Sequence, residues 1–207
     1  MSLFSPKPLL TAMFGLGLAT PLLAADKAAL EGTVSADELL AGDVKHVGNR
    51  IGRIKDVLLS DSGEKAEIVL YRVPNRYKAE PGETGYAVLK TVDVEQDTDG
   101  VDVLLIGEES QSKPDKLKLT REDLKERSME RLLGEDMILD GGYAYPVVDV
   151  RIDPESGRIS HYVIDTEPEE WLDDDSRIVP ADKVSRSPAG QLKADVRHHD
   201  LDQLAAL

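Results

Sequence analysis

The sequence predicts a mainly β protein made of two copies of one small antiparallel barrel, with short helices, one of them in the linker between the copies. Three observations predict it. Leu39-Leu40-Ala41-Gly42-Asp43 matches Leu132-Leu133-Gly134-Glu135-Asp136, and the same spacing pairs Gly48 with Gly141, Ile54 with Val147 and Asp56-Val57 with Asp149-Val150. Short apolar runs are punctuated by turns bearing Gly, Asp or Pro, as strands of a small β fold are. Aromatic residues make up only 4% of the 207, and Phe4 and Phe14 both fall near the start, so the core is expected to be Val, Ile, Leu and Ala.

Residues 1–25 have the order of an export signal: a leader with Lys7, an apolar stretch over 9–19, then Thr20, Pro21 and the small residues Ala24 and Ala25. Cleavage is expected after Ala24 or Ala25, placing the protein in the periplasm or otherwise outside the cytoplasm. Leu22 or Leu23 stands where a small residue is preferred, so the alternative is an uncleaved N-terminal anchor. The apolar stretch is shorter than the roughly 20 residues that a spanning helix needs. The formal charge of −15 becomes −16 without Lys7. That balance opposes nucleic-acid binding, because phosphates would be repelled over most of the surface. With no cysteine, a disulfide framework, thiolate metal sites and a cysteine nucleophile are excluded.

The first copy is placed at 34–106. It opens on a short helix whose Ser35-Ala36-Asp37-Glu38 has capping-box spacing. A strand over 51–60 follows, with imperfect alternation that predicts a bulge near Lys55-Asp56. The turn Asp61-Ser62-Gly63 leads to a strand over 66–71, and further strands are read at 86–89 and 101–106. A linker over 107–131, rich in Ser, Glu, Lys and Pro where it begins, runs into a helix predicted over 121–133 with Thr120 as N-cap. The second copy, 132–196, carries strands over 147–152, 159–164, 177–179 and 191–196, with a turn at 153–157. Residues 197–207 are expected to form an exposed tail. The spacing is expected to lengthen by one at Gly63 and Gly157 and to shorten to 90 later, so that Val88 meets Ile178 and Val94 meets Val184.

Gly48, Ile51, Gly52, Ile54, Asp56 and Val57 stand in the pattern of the PRC-barrel domain, which the chain resembles over roughly 39–106 and 132–196. The second copy keeps Gly141, Val147, Asp149 and Val150, and Ile178-Val179-Pro180 matches the closing segment of the family, while Tyr145 stands in place of the second glycine. The resemblance implies tandem small β-barrels used for docking or assembly, as in the reaction-centre H subunit, and supplies no catalytic residues. Fold likeness alone does not fix a function.

Little else in the sequence points to chemistry. His198-His199-Asp200 is read as part of the exposed tail, and His46 and His161 as surface or strand residues. Asp173-Asp174-Asp175 lacks calcium-loop spacing. Asp56 and Asp149 are expected to cap neighbouring turns within their own barrels. No catalytic residue, cofactor or metal ligand is assigned. The candidate partner-binding residues are Trp171, in an acidic loop where it either folds back over the barrel end or anchors a partner, and Arg72, Arg76 and Tyr77 in the corresponding basic loop; the opposite charges either attract one another or reflect drift between two solvated loops. The function expected is therefore non-catalytic binding of a protein partner in the cell envelope, with possible docking to a membrane or electron-transfer complex. The alternatives are an acidic stress or osmotic-response protein and a carboxylate-dependent metal hydrolase.

Overall fold

The computed structural model describes residues 30–72, 84–88, 92–97, 100–105, 120–166 and 176–206. It is mainly β. The first half contains β1 (Val34–Ser35), α1 (Ala36–Ala41), β2 (Asp43–His46), β3 (Asn49–Leu59), β4 (Ala66–Arg72), β5 (Thr84–Val88), β6 (Val92–Asp97) and β7 (Gly100–Leu105). The second contains α2 (Arg121–Glu126), α3 (Met129–Leu132), β8 (Asp136–Asp140), β9 (Ala144–Ile152), β10 (Ile159–Asp165), β11 (Ser176–Pro180), β12 (Val184–Arg186) and β13 (Leu192–Arg197). Two 3-10 turns, Ala181–Lys183 and His198–Gln203, complete it.

The strands form two sheets of the same order, β5-β4-β3-β2-β7-β6 and β11-β10-β9-β8-β13-β12. Both paths run open among the described residues. Strands β1, β2, β6, β8 and β12 escaped the sequence reading because each is short, six residues or fewer. The expectation of wholly antiparallel sheets also fails, since β2 pairs with β7 in parallel and β8 with β13 likewise. The chain leaves β2 through four strands before returning beside it, which a parallel neighbour requires. The Asp43 N–H bond to Asp102 and the Lys45–Asp102 ion pair hold that return in place.

Register repeats as well as order. Ile54 faces Tyr71, Asp56 faces Leu70, Val57 faces Val69 and Leu59 faces Ala66. Their counterparts Val147–Ile164, Asp149–Val163, Val150–Tyr162 and Ile152–Ile159 pair in the same way. The ladder skips Lys55 in one copy and Val148 in the other, so the bulge expected near Lys55-Asp56 is present twice. The spacing therefore does not lengthen in β4 and β10. Further on, Tyr86 is the counterpart of Ile178 and Val88 of Pro180, because each faces the corresponding residue of β4 or β10. Val92, not Val94, corresponds to Val184.

One hydrophobic core runs through both halves, from Val34, Leu39 and Val57 to Met129, Val150 and Leu201. A smaller cluster of Leu58, Ile68, Leu70 and Tyr86 lies under Leu124 of α2. The predicted helix over 121–133 is broken. The backbone at Arg127 and Ser128 leaves the helix to bond β3, with the Leu59 N–H donating to the Arg127 carbonyl, and Ser128 starts α3 as a new N-cap. The exposed tail is a second correction. Leu201 and Ala205 are buried, and the Ile178 N–H donates to the Ala205 carbonyl, so this segment covers the β11 edge. Among the described residues, no helix is long and apolar enough to cross a membrane.

Candidate functional site

The two halves meet about a pseudo-twofold axis. The Ala66 N–H donates to the Gly157 carbonyl at 2.8 Å, and the Ile159 N–H returns the bond to the Glu64 carbonyl at 3.0 Å. Around this pair the leading segments are exchanged. Segment β1–α1, which precedes the first sheet, pairs with β9 of the second through Val34–Ile152 and Ser35–Arg151. Residues 127–128, which precede the second sheet, bridge β3 of the first at Leu58.

Asp56 and Asp149 join these exchanged segments, each capping the helix that leads into the other copy. The Ser35 hydroxyl donates to Asp149 Oδ1 at 2.9 Å while its oxygen accepts from the Glu38 N–H, and the Asp37 N–H adds a 3.3 Å bond to the same carboxylate oxygen. At the other junction Ser128 accepts from the Arg131 N–H and bonds Asp56, and the Glu130 N–H donates to Asp56 Oδ1 at 3.2 Å. The expectation that these carboxylates cap turns is met in kind. The partner is the other copy, because the bulge turns each carboxylate away from the inward-facing side chains of its own sheet.

The junctions differ in charge. Arg151 Nε stands 3.2 Å from Asp149 Oδ2, off the line of a hydrogen bond. The corresponding neighbour of Asp56 is Leu58. Burial raises the Asp56 carboxyl above the ordinary 3.8, outweighing the hydrogen bonds from Ser128, Glu130 and Val57, and the Glu130 carboxylate adds to the rise.

Beside the Asp56 junction lies a cleft of about 740 Å³ between the turn after β3, the α2–α3 segment and the β12–β13 loop. Arg127, Arg131 and Arg186 line it, with the acids Asp61, Glu126 and Glu135. Arg127 donates to the Leu59 carbonyl and pairs with Asp61 and Glu67. Arg186 donates to the Gly190 carbonyl at 2.7 Å and reaches Glu135 at 3.4 Å. It also packs over Gly63 of the first copy, whose φ of +75° suits the turn. Burial raises the Tyr162 hydroxyl, and Arg186 pulls it the other way.

A second, shallower surface is aromatic. Tyr143 stacks on His198 with ring centroids 4.1 Å apart, and the Tyr145 hydroxyl bonds His198 Nδ1 at 2.8 Å. The exposed histidines expected at 198 and 199 are therefore found, but His198 is held in this stack. His161 is a buried strand residue. Of the predicted partner-binding residues, Arg72 is exposed at the end of β4 remote from the junction. Arg76, Tyr77 and Trp171, with the loops expected to attract one another, lie outside the described residues, as do residues 1–25 and the acidic run 173–175. Among the described residues, no group of three or more His, Asp or Glu could hold a metal ion.

Sequence reasoning found the Ser35 cap but missed Ser128 as its match, and missed Arg131 and Arg186. Ser128 could have been found, since it stands from Ser35 at the same spacing as Asp149 from Asp56. The arginines carry no such signal, because they stand 55 residues apart and the repeat places no arginine at their counterparts Glu38 and Val94. Comparison of the chain with models of known protein families and with curated proteins finds no match.

Proposed function

We propose that this is an exported, non-catalytic binding and assembly protein of the cell envelope, built from two PRC-barrel-like units that dock to a membrane or electron-transfer complex. The observation that carries the proposal is the contrast between interior and surface of the two copies. Strand order, register, bulges and serine caps repeat. Among the described residues the surfaces do not repeat: the arginines that line the cleft and the Tyr–His stack are contributed by the second half of the chain. A scaffold whose frame repeats while its faces diverge offers different surfaces to different contacts, and function resides in such surfaces more than in the fold. The resemblance of both copies to a family of docking domains supports the same role.

The test is chemical cross-linking of the full chain in its native envelope, with fractionation to locate it and N-terminal sequencing to find the processed end. One dominant cross-linked envelope protein, with processing after Ala24 or Ala25, is the expected result. Recovery of unprocessed chain in the cytoplasm, with no partner above an uncross-linked control, would overturn the proposal.

A further inference from the structure

The pseudo-twofold axis supplies an internal control for the cleft. By register and cap geometry, Arg127, Arg131 and Arg186 correspond to Val34, Glu38 and Val94. Val34 is a core residue, Glu38 accepts a hydrogen bond from Gln96, and Val94 packs against the core. The same backbone thus closes without any of the three guanidiniums, and the cations are an addition to the second copy.

Their existing partners differ. Arg127 is committed to Leu59, Asp61 and Glu67. Arg186 spends one N–H on Gly190 and holds Glu135 only through contacts of 3.4–3.5 Å, long for a charge-assisted bond. The Arg131 side chain is exposed and makes no hydrogen bond or ion pair among the described residues. We infer that the cleft binds a small oxyanion, a carboxylate or phosphate group, between Arg131 and Arg186. A guanidinium presents a planar fork of N–H donors that matches two oxygens of such a group. Glu126 and Glu135 border the cleft and the whole chain carries −15, which disfavours an extended polyanion and favours a compact ion. Binding would pull Arg186 from its long contacts with Glu135. It does not require an envelope partner, and either property can fail without the other.

Isothermal titration of the intact protein at low ionic strength, with inorganic phosphate in one arm, citrate in another and chloride as reference, tests this. Saturable binding of at least one oxyanion is expected, and the arm that binds identifies which chemistry the cleft takes. Arg131→Glu should weaken that binding by about tenfold or more, as loss of a charge-assisted hydrogen bond implies. Arg131→Ala serves if Arg131→Glu fails to fold, and Glu38→Ala on the opposite side should leave binding unchanged. Absence of saturable heat with both oxyanions, or wild-type affinity in the Arg131 variant, overturns the inference.

Discussion

The two copies fill the same positions with different side chains, and the exchanges compensate one another. In the first, Gly52 leaves room for the Tyr71 ring, since a Cβ there would come within 2.6 Å of that ring. In the second, Tyr145 takes the place of Gly52 and Ile164 that of Tyr71, so the bulky residue moves from the inner partner strand to β9 itself. Gly42 lies so close to β7 that a Cβ would sit 1.9 Å from the Val101 carbonyl oxygen, whereas its counterpart Glu135 reaches out to Arg186. At the hairpin tips, Val47-Gly48 and Gly141-Gly142 all adopt positive φ. Packing volume can thus be redistributed between neighbours without changing register. The Asp–Ser junction keeps both its residues and alters only the charge beside them.

That charge difference yields the largest predicted contrast. Asp149→Ala should cost about 3 kcal/mol, because it leaves the Arg151 guanidinium largely buried and unpaired. Urea unfolding would measure it, and Asp149→Asn with Arg151→Leu, which removes both charges together, should recover most of the loss. Next, Gly42→Ala should cost about 3 kcal/mol through overpacking, whereas Glu135→Ala at the equivalent place should cost well under half of that. Equal midpoints for the two would show that the copies pack alike there.

Removing the caps separates the junctions further. Ser35→Ala should cost about 2 kcal/mol, since its N-cap and its bond to Asp149 are buried, against about 1 kcal/mol for Ser128→Ala, whose cap and bond to Asp56 are only half-buried. Thermal unfolding of the two variants side by side would rank them. At the hairpin tip, Val47 is 82% exposed with φ +49°, a region that β-branched residues avoid. Val47→Asn should therefore gain about 1 kcal/mol, and a lower melting temperature would contradict the turn geometry.

The smallest effect is expected at Asp56. A carboxyl whose folded pKa is raised imposes a penalty on folding above that pKa, and the penalty disappears as pH falls through it toward the unfolded 3.8. Asp56→Asn should accordingly be neutral to slightly stabilising at pH 7 and indistinguishable from wild type near pH 3. A carbon-detected titration of the Asp56 carboxyl that gives a value below 3.8 would reverse this assignment.

Much of the frame was legible because it is local. The repeat spacing up to Asp56 and Asp149, the bulge near Lys55-Asp56, the Asp61-Ser62-Gly63 turn and the Ser35 cap are where the pattern puts them. Tyr145, a departure from the glycine pattern, became intelligible only beside Ile164. Of the candidate site, Asp56 and Asp149 were visible as a matched pair, and Ser35 as a cap, but not Ser128 nor the bonds that join each serine to the carboxylate of the other copy.

By itself the sequence determined a duplicated, aliphatic, β-rich chain whose acidic balance opposes nucleic acid. Periodicity, turn chemistry and charge count are properties of the chain and carry that much. Only the tertiary structure decided that the leading segments cross over, that β2 and β8 take parallel neighbours, and that one core serves both copies. These features depend on which distant segments share the burial of apolar surface, a non-directional force that no short stretch of sequence assigns to a particular partner. The same crossing sets a turn of the first copy beside the cleft that Arg131 and Arg186 line.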